Sequence, residues 1–208
     1  MDKEATVTVQ GRSEVSVEPD QAVVRLGVTH SAATAGEAQR QVNRQMQAVL
    51  EAVRGLGLPD QAVQTTQISL SPEYTTRRGE PPMVSGYRAT NTVSIRIDRL
   101  EMAGRVFDAA TEVGGNEIQG INFDLKDDTQ ARLQALREAV RSAHAKAAVM
   151  AAALGMKLGR VIELSESIAQ TRPMLQQTRM MEAASGAPVA PGQITVAATV
   201  TLRCALEQ

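Results

Sequence analysis

The sequence is poor in aromatic residues. Its 208 residues include no Trp, two Tyr and two Phe, so a core must be built from Val, Ile, Leu, Met and Ala. Readers of single-stranded nucleic acid stack bases on aromatic rings, and sugar sites use similar platforms. The net charge of −1 also lacks the surplus of Lys and Arg that duplex binding requires. These two shortages argue against nucleic-acid partners and carbohydrate ligands.

Residues that commonly perform catalysis are equally scarce. The chain has one cysteine, Cys204, and two histidines, His30 and His144. A lone cysteine forms no internal disulfide, which leaves packing as a small apolar side chain or an intermolecular bridge. Neither histidine lies in a signature of nucleophilic catalysis, and nucleotide-binding glycine motifs are missing. We therefore expect a protein that is not an enzyme and that uses no cofactor.

Carboxylate pairs are the remaining candidates for metal binding. One Cys with two distant His cannot supply a zinc tetrad. Asp127-Asp128 is better explained as the start of a helix, where acids stabilise the positive end of the helix dipole. Glu163 and Glu166 fit the solvent-facing edge of a strand. The sequence therefore predicts no metal site.

The chain contains no apolar run approaching the ~18–20 residues of a membrane span. We therefore expect no transmembrane segment. Residues 1–4 lead straight into a strand pattern, without a charged and then apolar leader. This start fits either a cytosolic protein or an exported protein whose export signal has been removed.

Alternation of apolar and polar residues indicates strands. Gly11 interrupts the first one and predicts a bulge or bend there. Pro19-Asp20 predicts a turn that makes a hairpin of the first two. The predicted strands cover Ala5–Val17, Ala22–Thr29, Val63–Ser71, Gly86–Ile97, Ile118–Leu125, Arg160–Ile168 and Ile194–Leu202.

Three segments have helical periodicity. Thr34 with Glu37, and Asp98 with Glu101, have the spacing of a capping box at a helix start. The predicted helices run from about Thr34 to Val53, from Leu100 to Val113, and from Asp127 to Leu154. The apolar residues of the longest helix predict its buried face as Leu133, Leu136, Val140, Ala143, Ala147, Met150, Ala151 and Leu154.

The predicted order is β-β-α-β-β-α-β-α-β-β. It indicates an α+β fold in which helices cover largely antiparallel sheets. We expect one unit over residues 1–208. The order also allows two β-α-β-β halves, residues 5–98 and 116–203, joined by a helix over 99–114, although the halves share no sequence identity.

Four stretches together resemble the SIMPL family, which has long been labelled a domain of unknown function. They follow one another in the family's order and span nearly the whole chain. They are Val7–Val28, Thr65–Tyr74, Gly86–Leu125 and Lys146–Val161.

This resemblance implies an exported protein of the periplasm or outer cell envelope, which forms large closed or channel-like oligomers and is linked to stress tolerance. It supplies no catalytic set. We therefore expect a non-catalytic envelope protein that binds copies of itself, and an unidentified protein partner stays open.

The segment Thr171–Gln193 is the part of the chain least determined by its pattern. Its methionines Met174, Met180 and Met181 are the predicted contacts to a subunit or partner. Thioether sulfur also binds Cu(I), so a monomeric module that binds a small molecule or soft metal through residues 171–193 is the alternative. An unrecognised hydrolase would require His30 or His144 beside a nucleophile.

Overall fold

The structure, a computed structural model, describes residues 5–76, 81–167, 172–174 and 191–208. The predicted α+β class is confirmed, as is the order of elements, to which the short strand β7 is added. The helices are α1 (Ala35–Gly55), α2 (Met102–Glu112) and α3 (Thr129–Ala153). The strands are β1 (Thr6–Val17), β2 (Gln21–Ala32), β3 (Val63–Thr75), β4 (Met83–Ile97), β5 (Glu117–Asp124), β6 (Lys157–Ser167), β7 (Arg172–Met174) and β8 (Gln193–Glu207).

The chain divides into two compact units. The central unit is built on Asp20–Asp124. The terminal unit combines the residues up to Pro19 with Leu125–Gln177 and Gly192–Gln208. One unit over 1–208, with possible sub-halves 5–98 and 116–203, stays a prediction. Those sub-halves are continuous in sequence, whereas the terminal unit takes residues from both sides of the central unit.

The central unit is an antiparallel sheet in the order β3-β4-β2-β5, with helices α1 and α2 packed on one face. Its core is aliphatic, with Val24, Leu26 and Val28 of β2 fully or almost fully buried. Opposite them, α1 buries an amphipathic stripe with helical spacing. The stripe consists of Ala38, Val42, Met46, Val49 and Val53.

The Thr34 half of the capping box predicted for α1 is confirmed. The Glu37 amide donates to Thr34 Oγ1 over 3.3 Å, which satisfies one of the amides left free at a helix start. The capping box predicted for α2 is wrong at Glu101. That helix begins at Met102, so Glu101 precedes it instead of occupying its first turn, and the Glu101 side chain makes no capping hydrogen bond.

The terminal unit is a second antiparallel sheet in the order β1-β8-β6, with β7 pairing with β8. β1 pairs with β8 along its whole length, from Thr6 opposite Ala205 to Val17 opposite Ile194. The predicted hairpin of the first two strands is therefore wrong. The turn at Pro19-Asp20 instead passes the chain from one sheet to the other.

The two units share an arrangement of a helix and three strands. In the central unit, β3 and β4 form a hairpin after α1, and β2 pairs with β4 on the other side. In the terminal unit, β6 and β8 follow α3, and β1 takes the place that β2 holds. If the chain simply repeated the arrangement in order, β5, which precedes α3 as β2 precedes α1, would pair with β8. The chain places β5 in the central sheet and supplies the third strand from its N-terminal part.

Helix α3 buries a row of alanines spaced four residues apart. Its predicted buried face was only partly right, because Leu133, Met150 and Leu154 are exposed. A row at spacing four is inclined about 26° to the helix axis, which suits packing on a twisted sheet. The row consists of Ala131, Ala135, Ala139, Ala143, Ala147 and Ala151.

Gly11 explains why this row is made of alanine. A Cβ atom at Gly11 would collide with the Ala139 carbonyl oxygen and would lie 2.6 Å from the Ala143 nitrogen. The helix backbone therefore rests directly on β1. Of the bulge or bend predicted at Gly11, the bulge is wrong, since Gly11 keeps regular pairing with Val200.

We expect Gly11→Ala to destabilise the protein by about 3 kcal/mol, because neither backbone can move aside without disturbing the sheet or the helix. Urea unfolding followed by circular dichroism measures the change. Gly55→Ala is the matched control. A Cβ there meets no atom within 4 Å, so this variant should be as stable as the parent or slightly more stable. Equal stability of the two variants would contradict the close approach at Gly11.

Candidate contact surface

Strand β3 lies at the edge of the central sheet. It pairs with β4 alone in the sheet as the structure describes it. An edge strand presents one row of backbone N–H and C=O groups that another strand can pair with. β3 is also long, at 13 residues. It is therefore a candidate for pairing with another chain.

The register of β3 places several apolar side chains on one face. Ile68 lies opposite Asn91 and Leu70 opposite Ala89. Paired side chains point to the same side of a sheet, and Ala89 is buried in the core beneath the helices. Ile68 and Leu70 thus belong to the helix-bearing face.

The helices do not cover this part of that face. Helix α1 packs mainly on β4 and β2. Ile68, Leu70 and Tyr74 are consequently 65%, 45% and 61% exposed, and Val84, which pairs with Tyr74, is half exposed. These four residues are called the β3 arm below. An exposed group of large apolar side chains is a common mark of a contact surface.

Charge distinguishes β3 from the other sheet edges. Residues 63–72 contain no charged side chain. β3 and β6 each have two register shifts, and β5 has one near Gly120, but β6 also carries the charged residues Glu163 and Glu166. On β1, the Lys146 Nζ donates to the Gln10 carbonyl over 2.9 Å. Charged side chains at an edge discourage strand pairing, and by this criterion β3 is the edge best suited to it.

An ion pair ties the far end of β3 to its neighbours. The Arg88 Nε donates to Glu73 Oε1 over 2.7 Å, and the Ser85 hydroxyl donates to the Glu73 carbonyl. The hydrogen bond from Arg88 lowers the pKa of the Glu73 carboxyl, and a second one from Ser31 on β2 adds to the effect. Arg88 precedes Ala89, so this brace lies on the face opposite the β3 arm. It joins β3, β4 and β2.

Comparison with known proteins shows to which family this chain belongs. The SIMPL family, described as "Protein of unknown function (DUF541)", matches residues 7–204. The chain belongs to the SIMPL family. It is 31% identical over 201 residues to the 26 kDa periplasmic immunogenic protein of Brucella melitensis, covering 91% of this chain and 80% of that protein.

Two more distant relatives carry the name "Uncharacterized protein YggE". The one from Edwardsiella ictaluri is 26% identical, covering 87% of this SIMPL chain and 75% of the relative. The one from Escherichia coli K12 is 23% identical, covering 88% and 73%.

The methionines predicted as contacts are only partly within the described residues. In this SIMPL chain Met174 lies in β7, where its backbone pairs with Gln193 of β8. Met180 and Met181 lie outside the described residues. Their role as contacts stays a prediction.

The titratable candidates are placed as follows. His30 is half-buried in β2, and His144 is exposed on α3. Cys204 is fully buried in the terminal core, where it packs as a small apolar side chain. Within residues 5–76, 81–167 and 191–208, no three His, Cys, Asp or Glu side chains form a group that would hold a metal ion.

Asp127-Asp128 starts a helix, as the sequence indicates. The Thr129 amide donates to Asp127 Oδ1 over 2.9 Å. Hydrogen bonds from the Thr129 hydroxyl and amide lower the pKa of the Asp127 carboxyl. Asp128 pairs with Arg132 across one helical turn, at 2.6 Å from Nε to Oδ2. The two acids therefore stabilise the start of α3.

The β3 arm was missed by sequence reasoning, although one signal for it is present. Pro72 lacks an amide proton and stands inside the strand, which is typical of an edge strand. Ile68, Leu70 and Tyr74 are separated by even numbers of residues, which places their side chains on one face of a strand. The strand was predicted, but its exposure depends on how far the helices reach, which periodicity does not report.

We expect the Glu73 brace to weaken in acid. The pKa of Glu73 is lower in the folded state than in the unfolded state, so its stabilisation is present above the unfolded value of about 4.3. It is lost as the pH falls through the folded value. Glu73→Gln should therefore be less stable than the parent at pH 7, and the difference should shrink at pH 3.

Urea unfolding of both proteins at each pH tests this expectation. Glu101→Gln is the control, because Glu101 is an exposed acid of the same unit whose side chain caps no helix. A difference between Glu73→Gln and the parent that is the same at both pH values would show that the ion pair does not stabilise the hairpin.

Proposed function

We propose that this chain is a non-catalytic protein of the cell envelope that assembles with copies of itself through the β3 arm. The observation that carries the proposal is the long edge strand, which is uncharged over residues 63–72 and has large exposed apolar residues on one face. Such an edge is a template for strand addition, since backbone hydrogen bonds supply affinity and the alternate side chains supply specificity.

The β3 sequence is suited to pairing with itself. When two copies of a strand pair antiparallel about Leu70, Ile68 of each copy faces Pro72 of the other. The side chains at 68, 70 and 72 of both copies then lie on one face. A continuous apolar strip forms across the junction and is removed from water, which stabilises the assembly. Larger closed assemblies, as the family resemblance implies, need a second contact, for which the segment with Met174, Met180 and Met181 is the candidate.

The envelope location is supported by the relative from Brucella melitensis, whose name describes it as periplasmic and immunogenic. Among the helices that the structure describes, none is sufficiently long and apolar to cross a membrane. A role in stress protection belongs to the same proposal and rests on the family resemblance.

Light scattering coupled to gel filtration tests the assembly. We expect the parent to have a mass above that of one chain, and Leu70→Lys to shift it toward the monomer, because a charge in the apolar strip must lose its water when copies pair. Gln67→Lys is the matched control. It adds the same charge to the same strand on the opposite face, where Gln67 pairs with Thr92.

The control should keep the parent's mass. A parent that is monomeric over a wide concentration range would rule out self-assembly. An oligomeric Leu70→Lys variant with the parent's mass would instead move the contact away from β3. Circular dichroism checks that both variants are folded, which is expected because Leu70 and Gln67 are exposed.

A further inference from the structure

The second half of α3 and the start of β6 form a segment without acidic residues. The whole chain has 23 acids and 22 Lys or Arg residues. From Ala139 to Ile162, however, there are four Lys or Arg residues and no Asp or Glu, and Glu138 and Glu163 mark its limits. This stretch is called the acid-free segment. Within this segment itself, every charged side chain is therefore positive.

The acid-free segment also carries exposed apolar side chains. Val149, Met150 and Leu154 are 70%, 48% and 68% exposed, beside the buried alanine row. Val149 and Met150 line one side of an open groove, and Val9 of β1 lines the other. The last turn of α3 thus presents a second apolar stripe that the terminal sheet does not cover.

Two lysines flank this stripe. Lys146 lies one turn before Val149, and its Nζ donates to the Gln10 carbonyl while the side chain stays exposed. Lys157 follows Leu154 after a turn of two residues, and its Nζ donates to the Gln208 carbonyl oxygen over 3.5 Å while the side chain stays exposed. Glu207 lies opposite Lys157 in the register of β6 with β8. These two lysines and one acid therefore border the stripe.

We propose that this end of the terminal unit docks on a membrane surface that contains anionic lipids. Val149, Met150 and Leu154 enter the boundary between headgroups and acyl chains, and Lys146 and Lys157 contact the lipid phosphates. An anionic bilayer offers both an apolar layer and negative charge at its surface. A second copy of the same face would bring like charges together, which disfavours that occupant.

Sedimentation of the full chain with sucrose-loaded vesicles tests the proposal. The vesicles are made of phosphatidylcholine alone or of equimolar phosphatidylcholine and phosphatidylglycerol. We expect binding to the mixed vesicles only. Lys157→Gln should weaken it about fivefold, the effect of one lysine near an anionic surface. Val149→Ser with Leu154→Ser should weaken it at least about tenfold, because two apolar side chains no longer leave water.

Leu133→Ser is the matched control for the apolar stripe. Leu133 is an exposed leucine of the same helix outside the acid-free segment, and its replacement should leave vesicle binding unchanged. The proposal is overturned if the parent does not bind the mixed vesicles, or if the double serine variant binds as the parent does. A double variant that changes only the mass in light scattering would show that the stripe contacts another copy, which also overturns it.

Discussion

Direct contact between the backbone of α3 and that of β1 is the constraint on which the terminal unit depends. It requires glycine at position 11 and alanine at 139 and 143, and it sets the helix close above the sheet. Along the same line, the Ser13 hydroxyl donates to the Ala135 carbonyl and Lys146 donates to the Gln10 carbonyl. Because the layers are so close, the core beneath holds small and branched aliphatic side chains. A sequence without Trp suits such a core.

The same closeness leaves the larger apolar residues of α3 without a place inside. Leucine and methionine at positions 133, 150 and 154 are too bulky for the narrow gap and remain on the outer sides of the helix. In the central unit, by contrast, α1 and α2 stand over β2 and β4 and fill their gap with Val, Leu, Ile and Met. There the uncovered apolar residues arise at the sheet edge, where the helices end. The two units thus produce exposed apolar surface for different physical reasons.

Most of the secondary structure could be predicted from the sequence, because alternation and helical periodicity are local properties. The pairing of strands could not. Pro19-Asp20 reads as a hairpin turn, and only the long-range fit of β1 with β8 decides otherwise. The buried face of α3 was partly misassigned for a related reason. Hydrophobicity alone predicts that Leu133 is buried in preference to Ala131. The short distance between α3 and β1 at Gly11 instead favours alanine in the buried row. For the candidate surface, Pro72 indicated an edge, but coverage by a helix depends on tertiary structure.

The pairing of β1 with β8 has a consequence for the order in which the protein folds. Thr6 meets Ala205, so β1 has no strand partner in its own sheet until the distant strand β8 has been synthesised. The elements of the central unit lie within one continuous stretch and can form first, as domains commonly do during synthesis. The terminal unit must instead close a very long loop, which slows folding. Throughout that interval β1 remains unpaired, and its alternating valines are open to any other strand that the nascent chain encounters.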